Sequence, residues 1–450
     1  MRTGAAVGRM GLQMSPSASE SPGQEVFRAA CSGGESVAAS KPVVNNFRTA
    51  QWRILFLVMF CYLFFYLGRQ NFGFAAKGMQ EDLGLSAKAL GMLSSALLVG
   101  YGLGQSINGN LSDAFGARRM VAIGAVLSVV LNWMVSFSSS FLPALLCWGA
   151  NGFAQSTAWP ALSRTLANWW PRHERGKAIG LYLLAAGTSS SLTFLLCILV
   201  TLFLDWRWIF RLPVLLILLG STVFVMFGRD RPQDRGFAAL PPEAADDPVG
   251  TLEETARQRY GKILRNKAFL WACLSIGCES VARYGLLNWV PVHFLGMNWK
   301  QNPAALWITL ALPIGMAVGA LTAGVVADKW FPEKRSRVVL VFLSAAAATT
   351  LLLSQAAASN VIEVMTLLAL SGFLVYGPQS SYWALCPELV GRERAGTATG
   401  LMDASAYGFA ALGQVVIGWV IDRTHSTASA FVVIPICCVV GALAILPVKK

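Results

Sequence analysis

Two arginines sit where an uncompensated charge is costly. Arg69 lies in the apolar run FLVMFCYLFFYLGRQNFGFAA and Arg283 in FLWACLSIGCESVARYGLLNWVPVHFL. Each run matches the roughly 20 apolar residues that cross a bilayer. A guanidinium at mid-membrane costs about 2.5–3.5 kcal/mol on insertion scales, and it cannot escape by losing its proton. Such a group needs a polar cavity and a partner, and its rigid fork of donors fits an oxyanion, a phosphate or carboxylate held bidentately. Tyr62 and Tyr66 fall on the same helical face as Arg69. The chemistry on offer is therefore anion recognition without bond making. Two protein carboxylates compete for the arginines. Glu279 stands one turn before Arg283 and can neutralise it on one helix, and Asp403, in a later span, can pair with Arg69 across the bundle. Either acid could alternatively bind a proton. No Ser/His/Asp arrangement and no His/Cys cluster of metal spacing is present. The three histidines, His173, His293 and His425, fall at loop or span ends. No enzyme, metal or cofactor is expected.

The elements that carry these residues follow from composition. The chain has 450 residues, 55% hydrophobic and 13% charged, against about 25% charged in a soluble domain. The net charge of +13 does not point to nucleic acid, because the basic residues lie in short loops between apolar runs rather than on one face. About twelve spans are readable, near 53–76, 88–110, 119–138, 141–163, 175–204, 208–228, 268–295, 304–327, 338–356, 360–386, 396–421 and 429–447. Arg118, Arg119, Arg172, Arg175, Lys334, Arg335, Arg392 and Arg394 fall in alternate loops on one side, so both termini and the long middle segment are expected in the cytoplasm. Residues 1–50 are Gly/Ser/Ala-rich and read as a disordered tail. Residues 229–267 read as a linker: a Pro- and Asp-rich stretch, then a surface helix opened by the capping box Thr251 to Glu254. The cysteines lie mostly inside spans, as free thiols.

The chain also repeats itself. Asp113 and Asp328, Arg69 and Arg283, and Arg175 and Arg394 are separated by nearly one common offset. The expected fold is an all-α membrane protein of twelve transmembrane helices in two pseudo-symmetric six-helix bundles, 51–228 and 268–450. Transporters of such halves bind substrate near the midplane between them. Each chain holds both halves, so a monomer suffices.

The loop GNLSDAFGARR, between the second and third spans, resembles the signature of the major facilitator superfamily, whose fold has this span count. The resemblance implies a gating cluster of Asp113, Arg118 and Arg119, echoed by Asp328. More narrowly, YLGRQNFGF, WPALSRTLANWWPRHERG, VARYGLLNWVP and FLVYGP resemble the organophosphate:phosphate antiporters, over about residues 52–447. That family includes glycerol-3-phosphate and hexose-phosphate transporters. The resemblance implies that Arg69 and Arg283 clasp a phosphate and that Tyr62, Tyr66, Tyr101, Trp159 and Tyr407 line the cavity. It also implies exchange of a small anionic substrate for inorganic phosphate by alternating access, in a bacterial inner membrane. Three positions depart from the glycerol-3-phosphate pattern. Gln70 and Gln105 stand where that pattern has lysines, and Ala186 where it has a histidine. The cavity keeps two forks and loses other positive groups, while Glu279 and Asp403 add negative ones. The expected substrate, phosphonate-like or otherwise anionic, is less negative than a sugar-phosphate dianion, or an acid supplies proton coupling. A proton-coupled organic anion transporter and a transporter-like sugar-phosphate sensor are the alternatives.

Overall fold

In lipid every backbone N–H and C=O must be satisfied inside the protein, so long apolar runs become helices. The computed structural model describes residues 41–238, 256–295, 304–330, 335–356, 360–391 and 394–448, and among these it is helical without strands. The first half contains α1 (Lys41–Phe65), α2 (Phe72–Leu83), α3 (Ala87–Phe115), α4 (Ala117–Phe137), α5 (Phe141–Gln155), α6 (Ala158–Trp169), α7 (Arg172–Phe203), α8 (Trp206–Ile209) and α9 (Leu215–Phe227). After the linker helix α10 (Ala256–Arg265) come α11 (Lys267–Leu295), α12 (Ala304–Ile308), α13 (Ala311–Trp330), α14 (Arg335–Gln355), α15 (Val361–Tyr376), α16 (Gln379–Val390), α17 (Ala395–Thr424) and α18 (Ala430–Ile445). Nine stretches among the described residues are long and apolar enough to cross a membrane, and Leu215–Phe227 is a shorter apolar helix. Ala50–Lys450 form one compact unit; of the unit Met1–Thr49, the part described, from Lys41 on, is helical.

Several limits differ from those read in the sequence. Helix α1 starts at Lys41 rather than after residue 50, with Pro42 in its first turn, where its missing N–H costs nothing. The sixth span begins as a short helix and turns before α9, at Pro213, which can donate no backbone bond. The fourth continues through α6 to Trp169, past the polar residues at which its apolar pattern ends. The tenth breaks at Gly377-Pro378, between α15 and α16, as the Tyr376-Gly377-Pro378 sequence predicts. Thr251 and Glu254 lie outside the described residues.

The two halves meet through α3 against α17, α7 against α13 and α2 against α11. They are latched on the side away from the basic loops. The Asp422 carboxylate, on α17, accepts from the N–H groups of Ala87 and Lys88 at 2.8 Å each and so caps α3 from the other half. Asn288 donates across to Ser94 at 2.5 Å, and within the second half the adjacent Trp289 donates to Gln414 at 3.0 Å. Gly418 has no side chain because a Cβ there would meet the Ala87 carbonyl, the close approach that small residues permit between membrane helices.

On the basic side, the charged contacts of the loop signature found among the described residues lie within the first half. Asp113 pairs with Arg164 at 3.0 Å, and Arg164 also donates to the Ser112 carbonyl. Arg118 donates through Nε to the Val225 carbonyl at 2.8 Å, and Asp230 caps α4 through the Ala117 N–H at 2.8 Å. Arg119 is exposed beside them. The side chain of Asp328 lies outside the described residues.

The Asp422 latch is testable. Its two charge-assisted bonds are each of the kind worth about 1.5–3 kcal/mol. In a Ser94→Cys background, Asp422→Ala is expected to raise maleimide labelling from the face opposite the basic loops by about tenfold. An unchanged labelling rate contradicts the latch.

Candidate functional site

The first span is interrupted where its functional arginine stands. After Phe65 the chain tightens into a 3-10 turn, Tyr66–Gly68, and Arg69 adopts φ −138° and ψ −25°, outside the helical region. A break in mid-membrane frees a carbonyl that lipid cannot satisfy. Here the Gly68 carbonyl accepts from Asn151 Nδ2 at 2.7 Å and from Asn132 Nδ2 at 3.2 Å. Ser128 donates to Asn151 Oδ1 at 2.7 Å, and Gln155 donates to Ser128 Oγ at 2.7 Å. Asn71 closes the far end of the break by donating to Asn132 at 3.1 Å and to the Ile209 carbonyl at 3.2 Å. These side chains are buried. Gly68 itself must be small: a Cβ would lie 2.8 Å from Ser128 Oγ and from Ile217 Cδ1. A polar knot on α4 and α5 thus fixes the kink from which Arg69 projects.

The Arg69 guanidinium lies 3.9 Å from the centroid of the Tyr66 ring and 4.6 Å from that of Tyr101. Arg283, in the middle of α11, lies 4.4 Å from the Tyr376 ring centroid and 5.1 Å from that of Tyr284, and its buried Nε makes no hydrogen bond. Such stacking offsets part of the desolvation cost, by about 2 kcal/mol when the pair is dry. Neither guanidinium has a carboxylate oxygen within 4.0 Å among the described residues. The two competing pairings, Glu279 with Arg283 and Asp403 with Arg69, are therefore not formed.

Both arginines line one cavity of about 300 Å³ between the halves. The first half contributes Tyr62, Tyr66, Arg69, Tyr101, Gln105, Trp159 and Ala186, and the second Arg283, Asp403 and Tyr407. The sequence did not single out Ser280, Tyr284, Tyr376, Gln379, Trp383 and Thr399 as lining residues, and they are present too. Ile179, Trp383 and Thr399 carry the lining to within about two turns of the basic-side helix ends. Trp159 stacks on Tyr182 at 4.9 Å and 11°, Tyr62 packs on Tyr182 at 4.7 Å, and Tyr101 packs on Tyr407 at 5.0 Å. Two expected site residues stand elsewhere. Gln70 turns into a narrow crevice with Ser94 and Asn288, toward the latched side. Glu279 is fully buried outside the cavity lining, where Oε2 accepts from Ser280 Oγ at 3.2 Å and Oε1 has no partner. The face of α11 one turn before it is turned to other helices: Ser275 shares a 2.7 Å hydrogen bond with Tyr382 and donates to the Gly441 carbonyl at 2.7 Å. Two fixed cations, amide groups and phenol hydroxyls converge on the cavity, and this lining can hold an oxyanion.

Residues 58–413 match the profile of the Major Facilitator Superfamily. The chain belongs to the Major Facilitator Superfamily. It is a multi-pass membrane transport protein and not an enzyme. Its relatives are similar along most of their length. The glycerol-3-phosphate transporter of Bacillus subtilis (strain 168) is 27% identical over 389 residues, covering 84% of this chain and 87% of the relative. The membrane sensor protein UhpC of Salmonella typhimurium is 28% identical over 420 residues, covering 89% and 92%. A probable hexose phosphate transport protein of Chlamydia muridarum is 26% identical over 422 residues, covering 90% and 92%. Among solved structures, the D-xylose-proton symporter superposes with a TM-score of 0.68 at 18% identity, over 89% of this chain and 98% of the other. A bacterial homolog of the human lysosomal transporter Spinster, inward-facing and unoccupied, gives 0.66 at 13%, over 89% and 95%. These two carry the fold alone. The sequence resemblance to the organophosphate:phosphate antiporters agrees with the three relatives.

The polar knot makes a prediction of its own. Asn151→Leu leaves the Gly68 carbonyl with its longer bond only, and an unsatisfied buried polar group costs about 1–3 kcal/mol. The variant is expected to unfold at a lower temperature than the parent and to bind anions more weakly, measured by thermal melts with and without inorganic phosphate. A variant with parental melting and parental phosphate response contradicts the assignment of Asn151 to the break.

Proposed function

We propose that this protein is a secondary transporter that carries a small phosphorylated or phosphonate-like anion across the bilayer by exchange with inorganic phosphate. The observation that carries the reading is the placement of Arg69 and Arg283, from opposite halves, in one cavity with no carboxylate in contact with either among the described residues. In this reading each guanidinium forks onto the anion, and Gln105 and the tyrosine hydroxyls take further oxygens. The bound anion neutralises the two cations, whose repulsion opposes closure, and residues 51–228 and 268–450 then rock about it, with 229–267 as the linker between them. The names of the three relatives, two phosphate-ester transporters and a sensor, support the substrate class.

In this reading both termini lie in the cytoplasm, which the basic loops support through the positive-inside rule. The cavity then opens toward the cytoplasm, and the Asp422 latch closes the outer face. A bacterial inner membrane and a monomeric carrier fit this arrangement. In this conformation Asp113, Arg118 and Arg119 serve as the cytoplasmic gate, with Arg164 added to the set.

A second reading, a transporter-like sensor, is favoured by the 28% identity to UhpC. Counterflow in liposomes separates the two. The carrier shows saturable exchange of external labelled phosphate for internal phosphate, whereas a sensor binds without exchange. Arg69→Lys and Arg283→Lys each replace a planar fork by a point ammonium. Each is expected to lower exchange by about tenfold to a hundredfold, the loss of one or two charge-assisted bonds. Parental exchange by Arg69→Lys contradicts the proposal.

A further inference from the structure

We infer that the cavity is built for a zwitterionic substrate, a phosphate or phosphonate whose organic part carries an ammonium group, and that Asp403 receives that ammonium. The inference rests on the anion-carrying reading above and narrows its substrate class.

Asp403 lies on α17, one turn from Thr399 and one turn from Tyr407, and lines the same cavity as Arg69 and Arg283. It makes no hydrogen bond and no ion pair among the described residues. Other acidic side chains of the fold behave differently. Asp422, further along the same helix, has both oxygens engaged by N–H groups. Asp113 is paired with Arg164, and Asp82 holds Trp206 Nε1 at 2.9 Å and Arg207. Asp403 is thus an acid held at a membrane cavity with no hydrogen bond and no close ion pair among the described residues, in the field of the Arg283 and Arg69 cations, with its oxygens open to a ligand group.

The charges lining the cavity identify that group. Arg69 and Arg283 contribute two positive charges and Asp403 one negative. Gln105 is neutral, and Ala186 adds nothing. A phosphate monoester dianion would bring the negative charges to three against two positive, and an unbalanced charge at membrane depth is expensive. An ammonium on the substrate restores the balance: its phosphate meets the two forks and its cation meets Asp403. The volume of about 300 Å³ stands at the lower end of small-molecule sites and suits a compact aminoalkyl phosphate or phosphonate.

The test uses the full-length protein in phosphate-loaded liposomes. Uptake of labelled inorganic phosphate is inhibited with matched pairs that differ only in the amine: 2-aminoethyl phosphate against ethyl phosphate, and 2-aminoethylphosphonate against ethylphosphonate. The amine-bearing member is expected to inhibit at a concentration about tenfold lower, in line with one buried charge-assisted contact. Asp403→Asn is expected to erase this preference, weakening inhibition by the amine and strengthening that by ethyl phosphate, while Asp403→Glu retains it. Equal potency within each pair on the parent protein overturns the inference, and that comparison needs no variant to fold. A preference that survives Asp403→Asn overturns it too. So does a loss, in Asp403→Asn, of dependence on a pH gradient with the amine preference intact, since the acid is then a proton carrier. If neither member of a pair nor inorganic phosphate is recognised, the anion-carrying reading itself fails, an outcome distinct from recognition of phosphates without regard to the amine.

Discussion

The structure depends on two cations that, among the described residues, have no carboxylate in contact with them. A membrane-embedded guanidinium ordinarily finds a carboxylate, and this chain has two within plausible reach. It uses neither. Arg69 rests against Tyr66 and Tyr101, and Arg283 against Tyr376 and Tyr284. Aromatic faces desolvate a cation at moderate cost while leaving its N–H fork open. A carboxylate would satisfy the same cation and occupy the fork. The choice of tyrosine over aspartate around each arginine is what keeps the cavity receptive.

Much of the remaining architecture serves to hold that arrangement. The break at Tyr66–Asn71 gives Arg69 a direction that an unbroken helix would not, and the Asn132, Asn151 and Ser128 knot supplies the hydrogen bonds that the break removes. The Asp422 cap and the Asn288 contact with Ser94 close one face, while the cavity lining reaches toward the other. The polar contacts of the latch stand on an apolar interface in which residues of both halves, Phe72 and Leu287 among them, are buried in one cluster.

The fold and both arginines were legible in the sequence because they rest on local signals. Long apolar runs, a repeated spacing and a charge inside a span need no knowledge of which helices touch. Gly377-Pro378 announced its break for the same reason. The break at Tyr66–Asn71 was not legible: it contains no proline, and the residues that stabilise it come from α4 and α5. Gln70 was therefore placed in the cavity beside Arg69, whereas the altered backbone turns it into the crevice. Glu279 was placed by its helical spacing from Arg283, but that spacing does not reveal that its side chain is buried behind the cavity wall. Tyr284, Tyr376, Gln379 and Arg164 were missed in these roles because their importance comes from contacts between segments far apart in the chain. Of the lining, the aromatic positions Tyr101, Trp159 and Tyr407 were reached through family resemblance rather than through any pattern of their own.

The most direct measurement of the central claim is an experimental structure of the protein with inorganic phosphate bound. The account predicts one phosphate in the central cavity within hydrogen-bond distance of both the Arg69 and the Arg283 guanidinium, with Glu279 and Asp403 still apart from them. A phosphate bound elsewhere, or either arginine locked onto one of those carboxylates, would contradict it.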